Sequence, residues 1–354
     1  MLWYIVFPVF VFVVTTFAYK KQWTGVFLMI VLLFFSMFRG DWVGTDTIGY
    51  IDRVDKISEL FLYDVNFNYE GGRTELLYYY LCSFIYLNNY PSRWIIYIFS
   101  IITFVFLFWG CKRYRINPSL FFLFYVLSTS YIISFNVSRQ FAAISICFFA
   151  TSFLTETNWK KYIFLVLIAV AYLIHASSII LLVLFFARMF KLNREKWGLG
   201  LYIFSLISVV LPLTNLAFEA LSHFNFWARY SENYGIGGHY TASDNGSLNY
   251  FFKPIIFTIY YLIYRFRSKE KKTDIWDNLF LCFFIVQAIF ATEGNIATYR
   301  IKFAFMPLMC GYFAICFSQM NKNKAILYFA YSLIGYAMCV RMSLGYYPYY
   351  LQFN

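Results

Sequence analysis

An all-helical bundle that crosses a membrane many times is the fold class predicted by three observations. First, 61% of the 354 residues are hydrophobic and 25% aromatic, and only 13% are charged, whereas soluble chains carry about 25% charge. Second, the mean hydropathy of +0.61 comes from long apolar runs, most of them near the ~20 residues a helix needs to span a bilayer. Third, clusters of Lys and Arg recur between those runs, as short cytoplasmic loops require. Disorder, coiled coil and collagen are excluded by the same composition. The net charge of +12 follows the loops, so it reads as membrane topology and not as a nucleic-acid footprint.

Taken in order, spans are expected over 2–19, 22–38, 94–110, 119–135, 141–156, 198–221, 250–266, 275–291, 301–317 and 325–342. The first has no basic n-region and no small-residue cleavage site, so it reads as a retained span. Residues 76–87 offer only twelve apolar positions, too few to cross, and are expected to re-enter. Residues 158–190 form one long apolar block broken at His175-Ala176-Ser177-Ser178, which predicts a two-helix hairpin. With these choices, Lys20-Lys21, Lys112/Arg113/Arg115, Lys160-Lys161, Arg188/Lys191/Arg194/Lys196, Arg265/Arg267/Lys269/Lys271/Lys272 and Lys322/Lys324 all fall inside. That side then holds eighteen of the 29 basic residues, and the outer face eleven against twelve acids. The result is about twelve crossings with both termini outside. Residues 1–354 form a single transmembrane domain with two long outer loops, 39–75 and 222–249. The seven cysteines form no CxxC pair and read as core thiols.

This topology, drawn from loop charge, gathers the unusual polar residues on the outer surface: Arg39, Asp41, Asp46, Arg73, Glu75, Arg139, His175, Arg229 and Arg300. Ions at span boundaries need a partner or a polar cavity. Arginine forks suit phosphate oxygens, so an anionic ligand is the functional reading, and snorkelling anchors are the plain one. The sharpest string is Arg39-Gly-Asp-Trp-Val-Gly-Thr-Asp-Thr-Ile-Gly-Tyr50, whose glycines and Asp/Thr residues suit a tight polar turn. Asp41 and Asp46 do not form a DxD pair, and His175, His223 and His239 share no ligand spacing, so no metal is expected. Trp227, Tyr230, Tyr234 and Tyr240 suit either sugar stacking or an interfacial belt. Asn136-Val-Ser138 and Asn245-Gly-Ser247 match glycosylation sequons and read as coincidental.

The same residues resemble a known family. Arg39 to Tyr50 is similar to the R-x(4)-G-T-D-x(3)-Y signature after the second span of EpsG-type membrane proteins. Glu75, the Asn136-Val-Ser-Arg139-Gln140 segment, His175-Ala-Ser-Ser, Arg300 and Tyr347-Pro348-Tyr349 resemble its further motifs in the same order. Ala176 stands where proline is common. The resemblance implies a GT-C-like, Wzy-type O-antigen or exopolysaccharide polymerase in a bacterial inner membrane, acting on the periplasmic face without cofactor. Its implied partners are undecaprenyl-diphosphate-linked oligosaccharide, membrane lipids and a chain-length regulator, with no nucleic acid. Asp46, Glu75 and His175 are the candidate catalytic groups, unranked as base. Arg39, Asp41, Arg139, Gln140, Arg229, Arg300 and Tyr50 are the candidate substrate-binding residues. An O-antigen ligase and a lipid-linked glycan flippase are the alternatives. Polar residues through the full membrane depth would favour the flippase, and here they cluster at one face.

Overall fold

The computed structural model describes residues 2–57, 75–156, 158–187, 194–211, 213, 246–266, 275–291, 296–318, 322–343 and 349–352. Within them the chain is helical, and the one extended pairing is an isolated antiparallel bridge between Arg39 and Leu351. The helices follow the apolar runs: α1 (Leu2–Ala18), α2 (Gln22–Met37), α3 (Thr47–Asp55), α4 (Leu76–Leu87), α5 (Trp94–Arg113), α6 (Pro118–Leu127), α7 (Ser130–Asn136) and α8 (Ser138–Thr151). They continue as α9 (Ile163–Ile174), α10 (Val183–Ala187), α11 (Arg194–Val210), α12 (Gly246–Phe266), α13 (Ile275–Ile289), α14 (Ile296–Ser318) and α15 (Lys322–Ser343).

By length and apolarity, three described helices suffice to cross a membrane: Trp94–Arg113, Arg300–Ser318 within α14, and Ala325–Met342 within α15. The pair α6 and α7 makes a fourth if taken as one span, although it bends by 66°. Six further apolar helices are shorter, among them Leu2–Ala18, Gln22–Met37 and the twelve-residue α4. The fold is therefore that of a helical membrane protein.

The run expected as one span over 119–135 is thus two helices. Asn117 caps α6 by accepting from the Ser119 and Leu120 amides at 2.9 and 3.3 Å, with Pro118 at the tolerated first position. The helix stops at Ser128-Thr129, where Thr129 has φ 62°, a conformation costly for a β-branched residue. Local bonds hold the break, with the Thr129 hydroxyl donating to the Ser128 carbonyl at 2.6 Å and Ser128 and Ser130 hydroxyls paired at 2.8 Å. Every residue from Ser119 to Leu127 and from Ser130 to Phe135 is buried, as a helix apolar all round must be. Gly335 of α15 lies so close to this break that a Cβ would meet the Leu127 carbonyl oxygen at 2.6 Å. Around this centre α8 packs on α5 and α9, and α14 packs on α6 and α13.

The block 158–190 also breaks where expected. Helix α9 ends at Ile174, His175 is extended, and a 3-10 turn over Ala176–Leu182 leads into α10. All seven cysteines are free.

Candidate functional site

Three chain reversals meet at one end of the bundle: the 39–46 loop after α2, the 136–138 turn between α7 and α8, and the break at His175. The loop is seated on the turn by backbone proximity. Gly44 takes φ +94°, and a side chain there would press on the Phe135 carbonyl, so both the angle and the space call for glycine. The Thr45 amide then donates to Asn136 Oδ1 at 3.0 Å. The Thr45 hydroxyl donates to Asp46 Oδ1 at 3.1 Å, which fixes that carboxylate just before α3.

Arg39 works from beneath. It is fully buried, its Nη1 donating to the Ser36 carbonyl at 2.6 Å and its Nη2 to the Ser138 hydroxyl at 2.7 Å. The guanidinium also lies over the Phe135 ring, 5.2 Å from its centroid. Ser138, next to Arg139, donates onward to the Ser134 carbonyl at 2.8 Å. Asp41 pairs with buried Arg93, which also donates to the Arg39 carbonyl. Residues 349–352 close over this loop. Gly40 donates to the Tyr350 carbonyl, the Gln352 amide to the Phe38 carbonyl (each 2.8 Å), and Gln352 Nε2 to Asp41 Oδ2 at 3.0 Å. Tyr349 stacks on Trp3 at 4.0 Å.

Above that layer lies the charged cluster. Arg139, in the first turn of α8, pairs with Glu75 at 2.8 Å and covers the Tyr78 ring at 4.4 Å. The second Glu75 oxygen accepts the Ala176 amide at 3.0 Å. Gln140 donates to the Ser177 hydroxyl at 3.2 Å and to the Arg300 carbonyl at 2.9 Å, so α8, the His175 break and α14 share one side chain. Tyr50 reaches the Arg139 backbone. Burial pushes the Asp46 carboxyl above the ordinary aspartate value, while the Thr45 hydroxyl and the guanidinium groups of Arg300 and Arg139 pull the other way.

Asp46, Glu75, His175, Tyr50, Arg139, Gln140 and Arg300 are thus gathered, from segments as distant in sequence as α3 and α14. Arg39 and Asp41 sit one layer behind, engaged by protein. Arg229, Arg73 and the aromatic residues of the 222–249 loop lie outside the described residues. Among the described residues no three His, Cys, Asp or Glu side chains come together. Sequence reasoning missed Arg93, which reads as an ordinary helix-start arginine, and Gln352, which carries no local signal at all. The profile of the EpsG family matches residues 22–351. No curated protein and no solved structure matches the chain.

Proposed function

Because the chain belongs to the EpsG family, we propose that it is a polysaccharide polymerase, a membrane glycosyltransferase that joins lipid-linked repeat units. In this reading a growing glycan leaves undecaprenyl diphosphate and passes to the non-reducing sugar of a repeat unit on a second lipid. The reaction takes place on the periplasmic face of the inner membrane, in a GT-C-like protein of about twelve crossings. A chain-length regulator is its expected partner.

The observation that carries the reading is the approach of Arg139 and Arg300 to one carboxylate, Asp46, on which both guanidinium groups act. Cleaving the sugar–phosphate bond leaves negative charge on the diphosphate, and preorganised guanidinium groups stabilise charge that develops there. Of the two carboxylates, Glu75 is occupied at both oxygens by Arg139 and the Ala176 amide. Asp46 has one oxygen turned to Thr45 and a proton affinity raised by burial, which suits a general base. We assign Asp46 to deprotonate the acceptor hydroxyl and Glu75 to hold Arg139. Arg39 and Asp41 position the loop. Arg229, and Tyr50 beside Arg139, complete the substrate contacts. No step in this scheme needs a metal, and activity is expected to persist in EDTA.

The test is incubation of the purified protein with lipid-linked repeat unit extracted from cells that lack it, with products run as a ladder. Extension to two and more repeats supports the reading. Transfer only to a lipid A–core acceptor would make the protein a ligase, and absence of any transfer would overturn an enzymatic role.

A further inference from the structure

The charged cluster contains one imidazole, and its neighbours fix its protonation. His175 ends α9 in extended conformation and caps the 3-10 turn that follows. Its Nδ1 accepts the Ser177 amide at 3.2 Å and lies 2.8 Å from the Ser177 hydroxyl. A backbone N–H only donates, so Nδ1 bears a lone pair and not a proton. The hydroxyl agrees, since Ser177 Oγ accepts from Gln140 Nε2 at 3.2 Å and keeps its own proton for the ring. This network assigns the single proton of the neutral ring to Nε2. The two hydrogen bonds between the ring and Ser177 both run through Nδ1.

A second proton would set N–H against N–H at Nδ1. It would also place a third cation beside Arg139 and Arg300, both of which act on this ring. The nearby carboxylate, Glu75, is turned to Arg139 and to the Ala176 amide. A ring held in this state has no lone pair at Nε2 with which to take a proton.

Resting on the polymerase reading above, we propose that His175 is a neutral hydrogen-bond donor, through Nε2–H, to a phosphate oxygen of the lipid diphosphate. In the transfer step the acceptor oxygen bonds to the anomeric carbon and the carbon–oxygen bond to phosphate breaks. The bonding electrons stay on the diphosphate, and the hydroxyl proton passes to Asp46. The His175 proton does not move. Its bond strengthens as charge builds on the leaving oxygen, alongside Arg139 and Arg300.

Two amides separate this role from that of a base and from that of a cap. Asparagine at 175 supplies the short acceptor that a helix start favours, so His175→Asn preserves the fold, but it has no donor at the Nε2 position. Glutamine places an amide N–H near Nε2 and cannot titrate. Each variant is to be purified, checked for folding by thermal melt, and given the lipid-linked repeat unit across a pH series. His175→Gln is expected within about tenfold of wild type, with an unchanged acid limb. His175→Asn and His175→Ala are expected to fall by about a hundredfold or more, the loss typical of a deleted oxyanion donor. A folded glutamine variant as inactive as alanine overturns the proposal, because it would show that the ring must titrate. An asparagine variant as active as wild type overturns it too, leaving only the cap. Failure of the wild-type protein to extend anything would refute the polymerase reading itself, which is a different result.

Discussion

The ion pair between Glu75 and Arg139 is the contact on which the cluster's geometry most depends, and its strength is measurable. The atoms are 2.8 Å apart, with side chains 15% and 21% exposed, so the pair is mostly shielded from water. At an effective dielectric near 20 the Coulomb attraction of a pair at this distance is about 6 kcal/mol, of which desolvation takes back a large part. The Tyr78 ring under Arg139 keeps about 1 kcal/mol when the carboxylate is gone. Glu75→Gln retains one carbonyl oxygen, enough for the Ala176 amide or for Arg139 but not for both. A coupling energy of about 2 kcal/mol is expected, in the range of charged hydrogen bonds. A double-mutant cycle of Glu75→Gln, Arg139→Gln and the pair isolates it, read from unfolding in mixed detergent micelles titrated with SDS and followed by tryptophan fluorescence. Coupling below about 0.5 kcal/mol, a surface-pair value, would refute the claim that Glu75 organises Arg139. Glu75→Gln should also keep the acid limb of the wild-type pH profile.

Further outcomes are expected. Burial raises the Asp46 carboxyl above the ordinary aspartate value and the base must be ionised, so polymerisation should fall as pH drops through that raised value. Asp46→Asn should abolish activity at all pH, and by the same linkage protonated Asp46 favours folding, a contribution present at low pH and lost as pH rises through the raised value. Arg139→Lys and Arg300→Lys should each lose about a hundredfold in ladder yield while reaching the membrane normally, since lysine lacks the planar fork. Gln352→Ala removes two bonds to Asp41 and should lower stability by about 1–2 kcal/mol, visible as an earlier melt. Cysteines placed at position 42, on the exposed side of the loop, and at position 139 should label from the periplasm, and one at position 271 should not. Labelling at 271 with protection at 139 would reverse the topology.

Helix limits were largely legible, because apolar runs end where Asn117, His175 and the basic clusters stand. The break at Ser128-Thr129 was not. Its residues are apolar or small and uncharged, and the bend depends on buried hydroxyl bonds that form only when the segment is enclosed. In the site, the motif residues Asp46, Glu75, Arg139, Gln140 and Arg300 carry charge or amide groups where lipid would forbid them, and this made them visible. The layer of Arg39 and Asp41 was visible too, but its direction was not: an arginine that binds ligand and one that braces a loop look alike until its partners are seen. Arg93 and Gln352 act only through residues hundreds of positions away or in another loop, and nothing near them in sequence marks the pairing.

The seating of residues 349–352 on the 39–46 loop has a consequence for biosynthesis. The loop emerges early, with the second helix, yet the residues that lock it are made more than three hundred positions later. Until they arrive, the Gly40 amide, the Phe38 carbonyl and Asp41 lack these partners. A chain that ends after Arg300 but before residue 349 therefore contains every charged group of the cluster without the closure that braces it. Synthesis through residue 352 is thereby coupled to completion of the site, and a copy cut short before it is expected to stay silent.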